Sequence, residues 1–328
     1  MELFLTHTSA LEYWRIYGTE QYRQSRRVRR RTAPLEPPDA STLQKLASCG
    51  LNVPLNVTVG TENARRRSNL VHSRLLSGLL PEGCFVDVGR GMLVSSPEFC
   101  FLQMAKELEF PKLVELGYVL CGHYAMPVLE NANQDSAVDK ARSKECVQLT
   151  SVKKLSALLD RMEGFPAQEK AKSSLSYIAD GSASPRETMV AMLLTLPYRY
   201  GGYGFPLPKM NAKIRPAKAA KQSSSKEFYY CDLFWEDYNL AVEYDSDAHH
   251  TGSEHIARDS MRRNSLISID VTVLTVTRIQ LNSVVEFEKV AKQLSIYMER
   301  RLQYKKPQFF KARRKLRDYL WIGVSSRE

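Results

Sequence analysis

The stretch Tyr229–Leu266, YYCDLFWEDYNLAVEYDSDAHHTGSEHIARDSMRRNSL, decides how the chain is read. Two runs at its start, Glu227 to Trp235 and Asn239 to Asp245, are rich in aromatic and branched residues that suit a pleated surface. The polar Glu236-Asp237-Tyr238 between them reads as a hairpin connection. Side chains two apart on a strand share a face, so Glu243 and Asp245 point the same way, and cross-strand pairing can bring Asp232 beside them. Leu240 and Val242 take the alternate positions and predict a core face opposite the carboxylates. The bland alternative is an edge strand whose acids simply face water. Against it, His249 and His250 follow at once, and then a helix-like run from His255 to Ile267 carries Arg258, Asp259, Arg262 and Arg263. Arg258 and Arg262 are four apart and share a helical face, which suits a phosphate backbone and equally a surface ion pair.

Three carboxylates on one face raise one another's pKa unless a cation lies among them. Hard ions such as Mg²⁺ or Mn²⁺ prefer such oxygen ligands. They polarise phosphoryl oxygens and acidify bound water, so the predicted chemistry is phosphodiester hydrolysis. An imidazole with an ordinary pKa of about 6.5 can protonate a leaving alkoxide or orient water, the role read for His249 or His250.

These elements resemble the restriction-endonuclease-like PD-(D/E)xK superfamily, most closely its very-short-patch-repair-like branch. There a PDF-type strand is followed by an E-x-D-G-x-x-H element and a D-x-x-R helix. Asp232, in CDLF, stands at the position of the metal Asp; Glu243-Tyr244-Asp245 matches the second strand, with Ser246 in place of Gly. His249 or His250 matches the His, and Asp259 and Arg262 match the helix. The resemblance implies a Mg²⁺ or Mn²⁺ cofactor held by Asp232 and Glu243, and DNA as a partner gripped by Arg258, Arg262 and Arg263. Most of the superfamily has Lys where this chain has Asp245, and the branch it resembles relies on His instead. Proton transfer then passes to His249 or His250, while Asp245 holds a second metal or orients water.

The resemblance also implies a Glu on a helix before the hairpin. Ser184-Pro185-Arg186-Glu187 opens the apolar run Met189 to Leu196. Ser184 is a good N-cap, Pro185 fits the first helical position, and Glu187 completes a capping box. Glu187 is therefore read both as a cap partner and as a metal ligand.

Upstream, residues 50–180 resemble the middle region of abortive-infection type IV antitoxin (AbiEi-like) proteins, many of which end in a nuclease-like domain. The matching residues are Pro54 to Val59 (PLNVTV), Val71-His72-Ser73, Val94 to Glu98 (VSSPE) and a helix from Phe101 to Leu108. This resemblance implies an operon-encoded toxin as a partner and a setting in phage defence or DNA repair. Those antitoxins usually start with a winged-helix module, whereas only His7 to Trp14 precedes the next segment here, which weighs against a repressor. Two function classes follow: a Mg²⁺-dependent DNA endonuclease or nickase, and a non-catalytic DNA-binding regulator.

Composition bounds the rest. The 328 residues can hold two domains, and a hydrophobic content of 43% with 25% charged residues excludes the disordered and fibrous classes. A net charge of +11 and a pI near 9.3 suggest a polyanionic partner. The cations cluster at Arg23 to Arg31, Arg65 to Arg67 and Lys311 to Arg317, a pattern suited to contacts with a nucleic-acid backbone. Cys49, Cys84, Cys100, Cys121, Cys146 and Cys231 form no C-x-x-C pair, so reduced thiols in a cytoplasm are expected. The start, MELFLTHTS, has neither a cationic leader nor a long apolar segment, and no membrane span is expected.

The fold expectation is α/β. A restriction-endonuclease-like mixed sheet flanked by helices occupies 181–305, preceded by a smaller α+β region over 41–180. Residues 1–40 are a helix around Ser9 to Tyr17 and an Arg- and Pro-rich connector; 306–328 are a basic tail. Helices are predicted at Ser151 to Asp160 and Ala167 to Ala179, and Asn131 to Glu145 as a polar loop or insertion. A long loop is predicted from Gly201 to Lys226, a buried strand at Asp270 to Thr277, and a helix capped by Ser283. That helix should carry a stripe of Val284, Phe287, Val290, Ala291, Leu294, Ile296 and Met298.

Overall fold

The computed structural model describes residues 3–24, 26–27, 31–34, 36, 39–48, 50–76, 78–89, 91–124, 148–214, 228–245, 271–303 and 307–321. The chain divides into two compact units, Met1–Cys121 with Cys146–Ser176, and Gly122–Glu145 with Tyr177–Glu328. Both contain mixed sheets with helices.

In the first unit the strands are β1 (Leu3–Leu5), β2 (Arg26–Arg27), β4 (Leu55–Val59), β5 (Val71–Leu75), β7 (Phe85–Asp87) and β8 (Met92–Ser95). They form one sheet in the order β2-β7-β8-β1-β4-β5, and β3 (Arg31–Thr32) pairs separately with β6 (Leu79–Leu80). The central β1, LFL, is buried at every residue, parallel to β8 and antiparallel to β4. Helix α1 (His7–Gln24) contains the helix predicted around Ser9 to Tyr17 and extends it at both ends, and the Trp14 Nε1–H fastens it to the Ser95 carbonyl at 2.7 Å. The Arg-rich connector therefore contains strand backbone at β2 and β3.

Five further helices are described in this unit: α2 (Ala40–Ser48), α3 (Pro97–Ala105), α4 (Phe110–Cys121) and the pair α5 (Val152–Asp160) and α6 (Gln168–Leu175). Helix α3 starts four residues before the predicted Phe101. Ser96 accepts from the Phe99 N–H at 3.2 Å and Pro97 fills the first turn, so the Ser-Pro within VSSPE acts as the start signal of the helix.

The second unit runs through α7 (Pro185–Thr195), β9 (Lys209–Ile214), β10 (Tyr229–Trp235), β11 (Leu240–Asp245) and β12 (Thr272–Thr277). Helices α8 (Arg278–Asn282), α9 (Val284–Tyr297) and α10 (Pro307–Trp321) follow. The sheet order is β12-β11-β10-β9, with β11 parallel to β12 and the other pairs antiparallel. The predicted hairpin is β10 and β11, joined by a turn that ends on Asn239 at φ +44°, a conformation Asn tolerates better than most residues. Strand β9 lies within the stretch predicted as a long loop.

Ser283 caps α9 by accepting from the Glu286 N–H at 3.2 Å, and Phe287, Val290, Ala291 and Leu294 form its buried stripe. Ile296, predicted on that stripe, is 74% exposed, because its position falls off the face set by Leu294 and Met298. The predicted basic tail instead holds α10, with Phe309, Leu316 and Leu320 buried. Arg313 pairs with Glu288 at 3.0 Å, and the buried Arg317 donates to the Leu281 carbonyl at 2.9 Å. Burial pushes the Arg317 guanidinium down to about 10.

Among the described residues Cys84, Cys100, Cys121 and Cys231 are buried and form no disulfide, and no helix is long and apolar enough to cross a membrane.

Helix α10 closes on the turn after α7. Gly201 there has φ +91°, and a Cβ on it would lie 2.5 Å from the backbone of Ala312. Gly201→Ala combines left-handed strain with a clash that only movement of α10 relieves, so urea unfolding should show a loss of about 1–3 kcal/mol or more. An unchanged midpoint would mean that α10 is not seated on this turn.

Candidate functional site

Strand register assembles the site. Leu233 pairs with Val242, and one more step along β10 and β11 sets Asp232 opposite Glu243. Glu243 pairs with Thr275 on β12. On the other side, Cys231 pairs with Ala212 and Leu233 with Met210, which brackets Asp232 opposite Asn211. Asn211, Asp232, Glu243 and Thr275 thus form a row across the four strands, on one face of the sheet.

Burial along β11 shows where the row sits. Leu240, Ala241 and Val242 are all fully buried, so both faces of this internal strand are covered; a core face on one side only was predicted. Glu243 is half-buried with Oε1 enclosed, and Asp245 is exposed at the strand end. Asp232 is half-buried, and its Oδ2 accepts from the Tyr244 N–H at 2.8 Å. The edge-strand alternative therefore fails for Glu243 and holds for the exposure of Asp245.

Glu187 reaches the row from the first turn of α7. Ser184 Oγ accepts from the Glu187 N–H at 3.2 Å and donates to Glu187 Oε1 at 2.8 Å. Glu187 Oε2 accepts from the Ala183 N–H at 2.9 Å, one residue short of the N–H that a capping box would use, and from Asn211 Nδ2 at 2.7 Å. Asn211 makes this contact from φ +46°, and its Nδ2 also donates to the Gly181 carbonyl at 3.0 Å. Glu187 is buried, and its pKa is raised first by that burial and then by the charge of Asp232; its three hydrogen bonds pull the other way. The cap reading and the site reading of Glu187 thus share one geometry.

Asp232 and Glu243, opposite each other in the row, are the carboxylates that could hold a divalent cation, since a carboxylate oxygen that accepts one N–H keeps a further lone pair. Among the described residues no group of three His, Cys, Asp or Glu side chains is gathered closely enough to hold a metal ion. Glu187 is drawn into its cap yet stays within reach of the Asp232 charge, and Asp245 is exposed at the strand end. His249, His250, Arg258, Asp259, Arg262 and Arg263 lie outside the described residues.

Asn211 was not singled out by sequence, although Met210, Ala212 and Ile214 alternate with Lys209, Asn211 and Lys213 in the period of a strand. The Gly, Pro and Ser around that run masked the signal.

No family model matches the chain, and no curated protein or solved structure gives a significant match to it.

A carboxylate with raised pKa favours the folded state most fully below its ordinary value, near 4.5, and that contribution is lost as pH rises through the folded value. Without divalent ions, the stability of the native chain relative to Glu187→Gln should therefore fall as pH climbs from 4.5 through the raised value. Paired denaturation curves across pH measure this, and a difference independent of pH would contradict the burial of a charge at Glu187.

Proposed function

We propose that the second unit is restriction-endonuclease-like and that the protein is a Mg²⁺- or Mn²⁺-dependent DNA endonuclease or nickase, acting in phage defence or DNA repair. What supports this most is one arrangement: Glu187 from a helix start close enough to Asp232 for its charge to raise the Glu187 pKa, with Glu243 in register opposite Asp232. Like-charge pressure of this kind is relieved by a cation, and oxygen donors suit a hard one. The topology is compatible. Parallel β11 and β12 need a crossover of a dozen or more residues, and residues 246–270 between them are long enough and carry the His and Arg residues of the motif.

In this reading Asp232 and Glu243 hold the ion and Glu187 supports it through the row. Bound there, the ion supplies Lewis acidity toward a phosphodiester oxygen and acidifies water. The Tyr244 N–H fixes the Asp232 carboxylate, and Asn211 fixes that of Glu187, so neither has to reorganise when DNA arrives. His249 or His250 serves as acid or base, and Arg258, Arg262 and Arg263 grip phosphate. Asp245, exposed where Lys is usual, takes no part as a cation.

That exposure, together with the donors already engaging both oxygens of Glu187, favours a second reading: a non-catalytic DNA-binding regulator of the AbiEi-like class, paired with an operon-encoded toxin.

Supercoiled and linear DNA incubated with the protein in Mg²⁺ or Mn²⁺ separates the two. Asp232→Asn keeps an acceptor for the Tyr244 N–H and should lose more than about 100-fold in nicking rate, beyond the cost of losing a residue that merely supports a ligand. Mn²⁺ should raise the melting temperature of the native chain and leave that of Asp232→Asn in place. DNA binding with no cleavage in either metal would select the regulator.

A further inference from the structure

We propose that the carboxylate row takes single-stranded DNA, with an unpaired base stacked on Tyr230 and an adjoining phosphate held by Lys213. This rests on the endonuclease reading of the row and names its substrate class. Residues two apart on a strand share a face, and on the face of the row burial changes in one direction. Along β10, Phe234 is 8% exposed, Asp232 is half-buried and Tyr230 is 53% exposed. Along β11, Ala241 is buried, Glu243 half-buried and Asp245 exposed. Helix α7 packs across both strands, and its first turn meets the row through the bond between Glu187 and Asn211. Among the described residues the row thus lies where the sheet emerges from its cover, and a substrate reaches Asp232 and Glu243 from the Tyr230 side.

An exposed ring by itself is common on a protein surface, but this one is paired with a cation. Tyr230 and Lys213 stand opposite each other in the β9–β10 ladder, so their side chains share the face of the row. Lys213 Nζ lies 3.6 Å from the centroid of the Phe228 ring, which holds the ammonium at this end of the hairpin and leaves its N–H groups able to donate. Lys209, the other lysine of β9, is tied to Glu236, whereas Lys213 makes no ion pair among the described residues. A cation set beside an exposed ring is the pairing by which single strands are held, backbone on the charge and base on the ring.

Geometry and charge select the form of the DNA. Two residues at a rise of about 3.4 Å put Tyr230 roughly 7 Å along β10 from Asp232, so a base on the ring leaves a neighbouring phosphodiester within reach of the row. In a duplex the base faces are covered by their neighbours in the stack, and only an unpaired base can offer its face to a side chain. The exposed Asp245 repels phosphate at the end of β11, which directs the backbone toward Lys213 on β9.

Fluorescence anisotropy of the full chain with a labelled DNA strand of about 12 nucleotides, alone or annealed to its complement, tests the assignment. The buffer holds Ca²⁺, which takes the same oxygen ligands as Mg²⁺. The single strand should bind about tenfold or more tightly than the duplex. Tyr230→Ala should weaken single-strand binding about tenfold and leave duplex binding in place, while Tyr230→Phe keeps the ring and the affinity. Lys213→Ala should reduce the slope of log Kd against log salt for the single strand by about 0.7, the share of one phosphate, and Tyr230→Ala should leave that slope unchanged. Both side chains are exposed, so melting temperatures of the variants should match the native chain. Equal or tighter duplex binding, full single-strand affinity in Tyr230→Ala, or an equal loss on both probes would overturn the proposal. Duplex cleavage in Mg²⁺ that is indifferent to Tyr230 would also overturn it and leave the endonuclease reading standing. Single-strand binding that depends on Tyr230, with no cleavage in either metal, would sink that reading and uphold the binding site.

Discussion

A carboxylate buried beside another carboxylate is costly, and much of the second unit is arranged around that cost. Glu187 leaves water at the start of α7 with Asp232 close by, so its charge must be met by donors. Two come from the cap itself, Ser184 and Ala183, and the third must come from the sheet. Asn211 supplies it by adopting a left-handed backbone within β9, and the β9–β10 ladder skips the position where Asn211 faces Asp232. Asp232 in turn takes the Tyr244 N–H with its side chain. Helix start, strand distortion and hairpin end are thus linked through one buried acid.

This linkage explains which parts of the sequence were readable. The β10–β11 hairpin, the Ser184 and Ser283 caps and β12 rest on local signals: alternation, cap chemistry and branched runs. Strand β9 rests on pairing with β10, a non-local interaction, and its own alternation is diluted by Gly and Pro on one side and Lys and Ser on the other. The coverage of β11 on both faces was equally hidden, because Glu243 at a half-buried position looks in sequence like any solvent-facing acid. Of the candidate site, Asp232, Glu243 and Glu187 were legible through motif and cap. Asn211 was not, since an amide that serves by its φ value leaves no spacing pattern.

In the first unit the short stretches PLNVTV and VHS are the paired strands β4 and β5, joined in parallel from Leu55 and Val71 onward. Their strand character could be read from branched residues, yet the burial of Thr58 and Ser73 could not. Hydroxyl residues are usually half-wet at strand ends, and only the packed structure shows which of them have been sealed away from water.

The C-terminal helix α10 changes how the basic character of the chain should be counted. Formal charge treats Arg313 and Arg317 as two of 47 surface cations, whereas one is tied to Glu288 and the other is buried on a carbonyl beneath Phe287. Each basic side chain fixed inside the fold is one fewer to displace condensed counterions from a polyanion. The dependence of any such association on ionic strength will accordingly be shallower than a charge of +11 suggests.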